Sequence, residues 1–229
     1  MQGSKKIPKL NFAEIDPHVE NLLKSIVVGK HVLQLQKNIP VFSQGDRADA
    51  IYFIQSGSVK VTVLSAQGKQ AVLAMLGPHD FFGEGCLVGQ PIWISTATTT
   101  ESSTLFRVQK KAMLQALHAQ PELSEKFTAA LLARNIHLEE DLCDQLFNHS
   151  EKRLARVLLK LSRFGQHAEM PDAKMPRLTH EILAEMVGTT RSRITFFMNK
   201  FRKLGRIEYT GTGDVTVRAE LMTDVVLHD

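Results

Sequence analysis

The chain has 229 residues, 43% of them hydrophobic and 23% charged, a balance that supports packed domains and argues against disorder. The length suits one large domain or two small ones of ~100–150 residues. No run approaches the ~18 consecutive apolar residues of a membrane span, and no apolar core follows the basic first ten residues, so neither a membrane protein nor a secretory signal is expected and the expected location is the cytoplasm.

The first thirty residues are mixed and partly helical in pattern. Residues 32–108 have another texture. Short apolar or alternating runs (Val32–Leu35, Ile51–Ile54, Val59–Leu64, Ala71–Leu76, 95–100 and Leu105–Val108) are separated by turn residues such as Gly45-Asp46, Ser56-Gly57, Gln67-Gly68 and Gly77-Pro78. Strands at this spacing with glycine at the corners predict a β-sandwich or β-roll. Cys86 and Cys143 have no CxxC or Cys/His metal spacing, so neither a zinc site nor a cysteine-ligated iron–sulfur cluster is expected. Each reads first as a small hydrophobe, with thiol oxidation as the alternative.

Residues 122–147 contain no Gly or Pro. Phe127, Leu131, Leu138 and Leu142 share one helical face, which predicts a long amphipathic helix used for dimerisation, with Arg134 interrupting the stripe and setting register. Packing of the same face against the chain's own β-roll is the alternative. A second helical pattern follows, with Leu154, Val157, Leu158 and Leu161 on one side. Residues 166–177, holding Pro171 and Pro176, read as a loop.

The strongest signal is 178–204. Thr179 can cap a helix whose apolar face is Ile182, Leu183, Met186 and Val187. Gly188 suits a turn needing positive φ. Thr189 or Thr190 can cap the next helix, with Ile194, Phe197, Met198 and Phe201 inward. A helix-turn-helix of this kind presents the first part of its second helix to the DNA major groove. Arg191, Ser192, Thr195 and Phe196 stand there, with Arg193 beside them. Arginine can donate two hydrogen bonds to guanine, hydroxyls can reach bases or phosphates, and a phenyl ring can meet thymine methyls. Two short strands after Gly205, with a turn at 210–214, form a wing. Charge is uneven in the same sense: residues 150–229 carry 14 Lys/Arg against 10 Asp/Glu, while residues 1–149 carry 14 of each. Lys200 and Arg202 add to a local basic footprint suited to a phosphate backbone.

This order of elements resembles the catabolite activator/fumarate–nitrate reduction regulator (CRP/FNR) superfamily. The pieces that carry the likeness are Gly45-Asp46, residues 52–60, Phe82-Gly83-Glu84 and residues 183–191. The resemblance implies an α+β chain: an N-terminal double-stranded β-helix (jelly-roll β-roll) sensor domain over 1–120, a long dimerisation helix over 121–148 and a C-terminal winged helix-turn-helix over 149–229. It implies a homodimeric, sequence-specific transcriptional regulator on near-palindromic double-stranded DNA, with no catalytic residues, and with RNA polymerase as partner if it is an activator. It places Arg191, Ser192 and Phe196 at base-reading positions, and Thr179, His180 and Thr190 at phosphates. The effector pocket falls at Gly83, Glu84, Ile94, Ser95, Leu138 and Glu139. In cyclic-AMP-binding members an arginine stands ten residues after the pocket glutamate; here that position is Ile94, which argues against a cyclic nucleotide. No other cofactor and no metal is implied. The other readings are a ligand-binding module acting on a protein partner, and a metal-binding β-barrel enzyme, for which the chain lacks an HxH pair.

Overall fold

The computed structural model describes residues 18–162, 172–175, 178–209, 214–218 and 220–221. Helix α1 (His18–Lys24) leads into eight strands: β1 (Lys30–Leu35), β2 (Pro40–Phe42), β3 (Ala50–Ser56), β4 (Val59–Leu64), β5 (Gln70–Leu76), β6 (Phe81–Phe82), β7 (Thr96–Thr99) and β8 (Ser103–Gln109). They form two antiparallel sheets, ordered β1-β8-β3-β6 and β2-β7-β4-β5. The six longer strands lie where the apolar runs predict them. Strands β2 and β6, three and two residues long, are too short to leave a period.

Strand β3 shows why its sequence is an unbroken apolar run. Successive side chains point to opposite faces of a sheet. Tyr52 and Ile54 face the second sheet, with Phe42, Phe82 and Trp93. Ile51 and Phe53 face the helices, with Phe81 and Phe106. A strand covered on both sides needs no polar positions. Inside the roll, Phe42 stacks on Trp93 at 4.2 Å and Tyr52 on Phe82 at 5.1 Å between ring centroids.

Helix α2 (Lys110–Ala119) is followed by α3 (Pro121–Phe147), which opens with proline at a position where the missing N–H costs nothing. The sequence reading puts Phe127, Leu131 and Arg134 in one dimer stripe with Leu138 and Leu142, with packing on the chain's own β-roll as the alternative, and the structure takes the alternative for the first part of the stripe. Phe127 is buried in the chain's own core, meeting Phe81 edge-on at 5.1 Å, and Leu131 packs partly against the same cluster. Arg134 turns to the β-roll, donating to the Phe81 carbonyl and to Glu84, both at 3.2 Å. At 3.6 residues per turn these residues do share a face with Leu138 and Leu142. The roll lies under the first part of that face. Leu138, Leu142 and Leu146, further along, are exposed. Phe127→Ala is therefore expected to cost ~3–5 kcal/mol of unfolding free energy by loss of a core aromatic. Urea titration reads this; unchanged stability with loss of the dimer would restore the stripe reading.

The second unit contains α4 (Ser150–Ser162), β9 (Asp172–Met175), α5 (His180–Val187), α6 (Arg191–Lys203), β10 (Ile207–Tyr209) and β11 (Val215–Arg218). Strand β9 corrects the loop expected at 166–177. It pairs antiparallel with β11 at the edge of a sheet ordered β10-β11-β9. Flanking prolines hid it, yet proline is tolerated at edges and strand ends. Residues 163–171 and 176–177, and 210–213 of the expected wing turn, lie outside the described residues. Leu154, Leu158, Leu183, Ile194, Phe197 and Phe201 fill this unit's core. Met75 of β5 packs against that core, and Gln70 Nε2 donates to Glu185 Oε2 at 3.2 Å, so α5 rests on the β-roll. Arg156 and Lys160 of α4 pair with Asp144 and Asp141 of α3, the latter at 2.9 Å.

Candidate nucleic-acid interface and sensor pocket

Local sequence chemistry sets the angle between α5 and α6. Thr179 caps α5, its Oγ1 accepting from the Ile182 N–H at 3.3 Å. Gly188 ends the helix in the left-handed conformation at φ 69°, and its N–H bonds the Ala184 carbonyl, a closure that favours a residue without Cβ. Thr190, not Thr189, caps α6 by accepting from the Arg193 N–H at 3.3 Å. Ile194, Phe197, Met198 and Phe201 are all buried, which fixes the opposite face of α6 outward.

That outward face holds the sequence-predicted readers. Arg191, Ser192, Arg193 and Phe196 are exposed, and Thr195 is half-buried. Phe196 is 66% exposed and touches Phe197 edge-on at 5.7 Å. Leaving a phenyl ring in water forgoes part of the ~1.5–3 kcal/mol that burial gives, and the ring stands free to meet a ligand. Thr195 Oγ1 donates to the Arg191 carbonyl at 3.0 Å and lies 2.9 Å from His180 Nδ1. The Nε of Arg191 lies 2.7 Å from Glu181 Oε1. Thr179, His180 and Thr190 stand at the starts of the two helices, where backbone N–H groups and the helix dipole favour an anion. Lys200 has a partner inside the domain. Its ammonium donates to Glu151 of α4 at 2.7 Å. Arg202 is exposed near the end of α6, and in the wing Arg218 pairs with Glu208 at 3.1 Å. Glu181 is the residue that the sequence reading missed. An acid at a basic surface carries no periodic signal, and only the folded geometry brings it to Arg191.

The expected pocket positions are divided between the β-roll, which carries Gly83, Glu84, Ile94 and Ser95, and α3, which carries Leu138 and Glu139. Gly83, at φ 80°, precedes a 3-10 turn over Glu84–Val88, and a Cβ there would come 3.0 Å from the Trp93 ring. Glu84 is held by Arg134, as above. Ile94 is 67% exposed and Ser95 is half-buried. Leu138 and Glu139 are exposed on α3, and Asn135 Nδ2 donates to Glu139 Oε1 at 2.8 Å. Burial pushes the Asp80 carboxyl above the usual carboxylate range, opposed by the Gly77 N–H bond and the charge of Arg134. Among the described residues no group of three or more His, Cys, Asp or Glu could hold a metal, and no helix is long and apolar enough to cross a membrane.

The two thiols differ. Cys86 is buried, its Sγ donating to the Ala50 carbonyl at 3.3 Å, and burial pushes its pKa up to about 11. Cys143 is exposed on α3. Only the thiolate attacks alkylating agents. Iodoacetamide at pH 8 is therefore expected to label native protein once, at Cys143, and Cys143→Ser protein not at all; rapid labelling of Cys86 would contradict this burial. The folded pKa of Cys86 lies above its ordinary 9.0, so the unfolded chain gives up this proton first. Stability from this group is complete below that value and falls as pH rises toward 11.

Comparison with known proteins agrees with this geometry. Residues 32–120 match the cyclic nucleotide-binding domain family and residues 152–221 the Crp-like helix-turn-helix domain family. The chain is 30% identical over 172 residues to the CRP-like cAMP-activated global transcriptional regulator of Mycobacterium tuberculosis, covering 75% of this chain and 77% of that protein. The chain belongs to the CRP/FNR superfamily of transcriptional regulators. It is thus a DNA-binding regulator and not an enzyme. The Cyclic AMP receptor protein of Thermus thermophilus is 30% identical over 190 residues, covering 82% and 83% of the two chains. Among solved structures of the superfamily's fold, the c-di-GMP-responsive regulator CLP of Xanthomonas campestris superposes with a TM-score of 0.72 at 19% identity, covering 87% of this chain and 99% of that one. FixK2 of Bradyrhizobium japonicum also gives 0.72, at 17% identity over 85% and 96%.

Proposed function

We propose that this superfamily member acts in the cytoplasm as a homodimer on near-palindromic promoter DNA, and that its effector is not a cyclic nucleotide. The observation that carries the DNA reading is the outward face of α6, where Arg191, Ser192 and Phe196 are presented by a helix whose other face is wholly buried. The exposed leucines 138, 142 and 146 of α3 support dimerisation, because a two-fold axis buries such an edge against its own copy. RNA polymerase is the further partner at promoters that the protein activates.

The relatives from M. tuberculosis and T. thermophilus are named for cyclic AMP, but the residues of this pocket do not fit that ligand. A bound phosphodiester needs a cation. Ile94 stands at the arginine position, and a charge-assisted bond worth ~1.5–3 kcal/mol is lost there. Arg134 is already shared between Glu84 and the Phe81 carbonyl, so this pair presents no net positive charge. By the family resemblance the base side of the site would fall at Leu138 and Glu139 rather than at hydroxyl groups.

Selection from a random DNA library by the reduced protein with no ligand added tests both statements. One enriched near-palindrome is expected, with half-site centres ~10 bp apart, unchanged by added cyclic AMP. A palindrome that appears only with cyclic AMP overturns the ligand statement. No enrichment at low salt under either condition overturns the DNA statement and favours a protein partner.

A further inference from the structure

Resting on the DNA-reading assignment of α6, we infer that Glu181 is a specificity-determining residue: it orients the Arg191 guanidinium for one guanine without touching that base itself. The observation is the 2.7 Å approach of Arg191 Nε to Glu181 Oε1 across the helix-turn-helix.

Three physical points favour this over an incidental surface pair. First, an exposed ion pair contributes only ~0–1 kcal/mol to stability, and both side chains here are more than half exposed, at 71% and 53%. The pair is therefore not needed for the fold. Second, a carboxylate at the start of α5 stands at the surface where phosphates would approach. Unpaired, it repels them; paired with Arg191 it does not. Third, the carboxylate approaches the guanidinium from its Nε side, as a charge pair rather than an aligned hydrogen bond. The two terminal Nη groups lie at the other end of the planar fork, the end that can donate in parallel to guanine O6 and N7. A free arginine on a helix surface samples many rotamers, and fixing it on binding costs side-chain entropy. Glu181 makes part of that selection before DNA arrives.

A neighbouring contact has the same logic. His180 Nδ1 lies 2.9 Å from Thr195 Oγ1, whose own hydroxyl hydrogen goes to the Arg191 carbonyl. Two consecutive residues of the first turn of α5 thus reach two positions on the reading face of α6. The first turn of α5 is both an approach to phosphate and a second layer behind the readers.

The test uses full-length protein and the palindrome selected by the unaltered chain, with each base pair of one half-site changed in turn. Glu181→Ala is expected to cut discrimination by about 3- to 5-fold, the upper end of what an exposed pair contributes, at the one base pair that Arg191→Ala also relaxes. It should leave the other positions within about twofold and bind non-specific DNA at least as tightly, since a negative charge is gone. Glu181→Asp keeps the negative charge beside Arg191 and is expected to recover part of the discrimination, whereas Glu181→Gln, which removes that charge, is not. An even loss at all positions would indicate a merely structural role and overturn the inference. So would an unchanged specificity profile. If the unaltered chain selects no site at all, the DNA-reading assignment fails rather than this inference.

Discussion

Arg191→Ala is expected to weaken binding to the selected site by about 5- to 150-fold, the worth of one bidentate base contact at ~1–3 kcal/mol. The loss should be specific. Arg191 lies on the outward face of α6, its neighbours Ile194 and Phe197 form the inward face, and its truncation opens no cavity. Thermal stability should therefore be unchanged, and affinity for non-specific DNA should fall only by the loss of one nearby charge. One base pair in each half-site should become permissive. Arg202→Ala is the natural contrast: an exposed cation near the end of α6 that lowers affinity for all sequences alike and reduces the salt slope by about 1. If Arg191→Ala binds every single-base variant with the same preference as the unaltered chain, the docking of α6 in the groove is wrong.

Leu142→Arg should have the larger effect, because the proposed two-fold axis would place it twice. Leu142 lies in the exposed part of α3 with Leu138 and Leu146, beyond Arg134. If the proposed dimer packs this leucine edge against its own copy, a guanidinium on each side would be buried there, a cost of several kcal/mol per unpaired charge. The expected product is a folded monomer. Light scattering should show half the mass, while urea titration of the β-roll should move little, since the roll's own anchors, Leu123 and Phe127, are untouched. Joining two half-site readers raises affinity by about 10²- to 10⁴-fold, and most of that gain should vanish for the full palindrome and leave half-site binding intact. A Leu142→Arg protein that keeps its dimer mass and its affinity would move the dimer contact elsewhere.

These two results would also separate what the sequence makes legible from what it does not. Periodic features were readable. The inward set of α6 is spaced as a helix demands, Gly188 occupies the one turn position that needs positive φ, and strand β3 runs apolar because both its faces are buried. Features set by contact between distant segments were not. Phe127 and Leu142 share one face of one helix, and nothing local says that Phe81 covers the first while the second lies in the open. Strand β9 has no pattern of its own and forms because β11 offers an edge. The pairing of Lys200 with Glu151 of α4 has no local signal, and Glu181 looks like an ordinary first-turn acid until the turn at Gly188 folds Arg191 back onto it. In the sensor pocket the position of Ile94 was legible from its spacing to Glu84, but the engagement of that glutamate by Arg134 was not.

Hydroxyl-radical footprinting of the unaltered protein on its selected site tests the central claim most directly. Two protected backbone patches per half-site pair, on one face of the duplex and centred ~10 bp apart, are the result expected of a dimer that sets two copies of α6 in successive major grooves. A single patch, or uniform protection that follows the amount of protein and not the sequence, would contradict it.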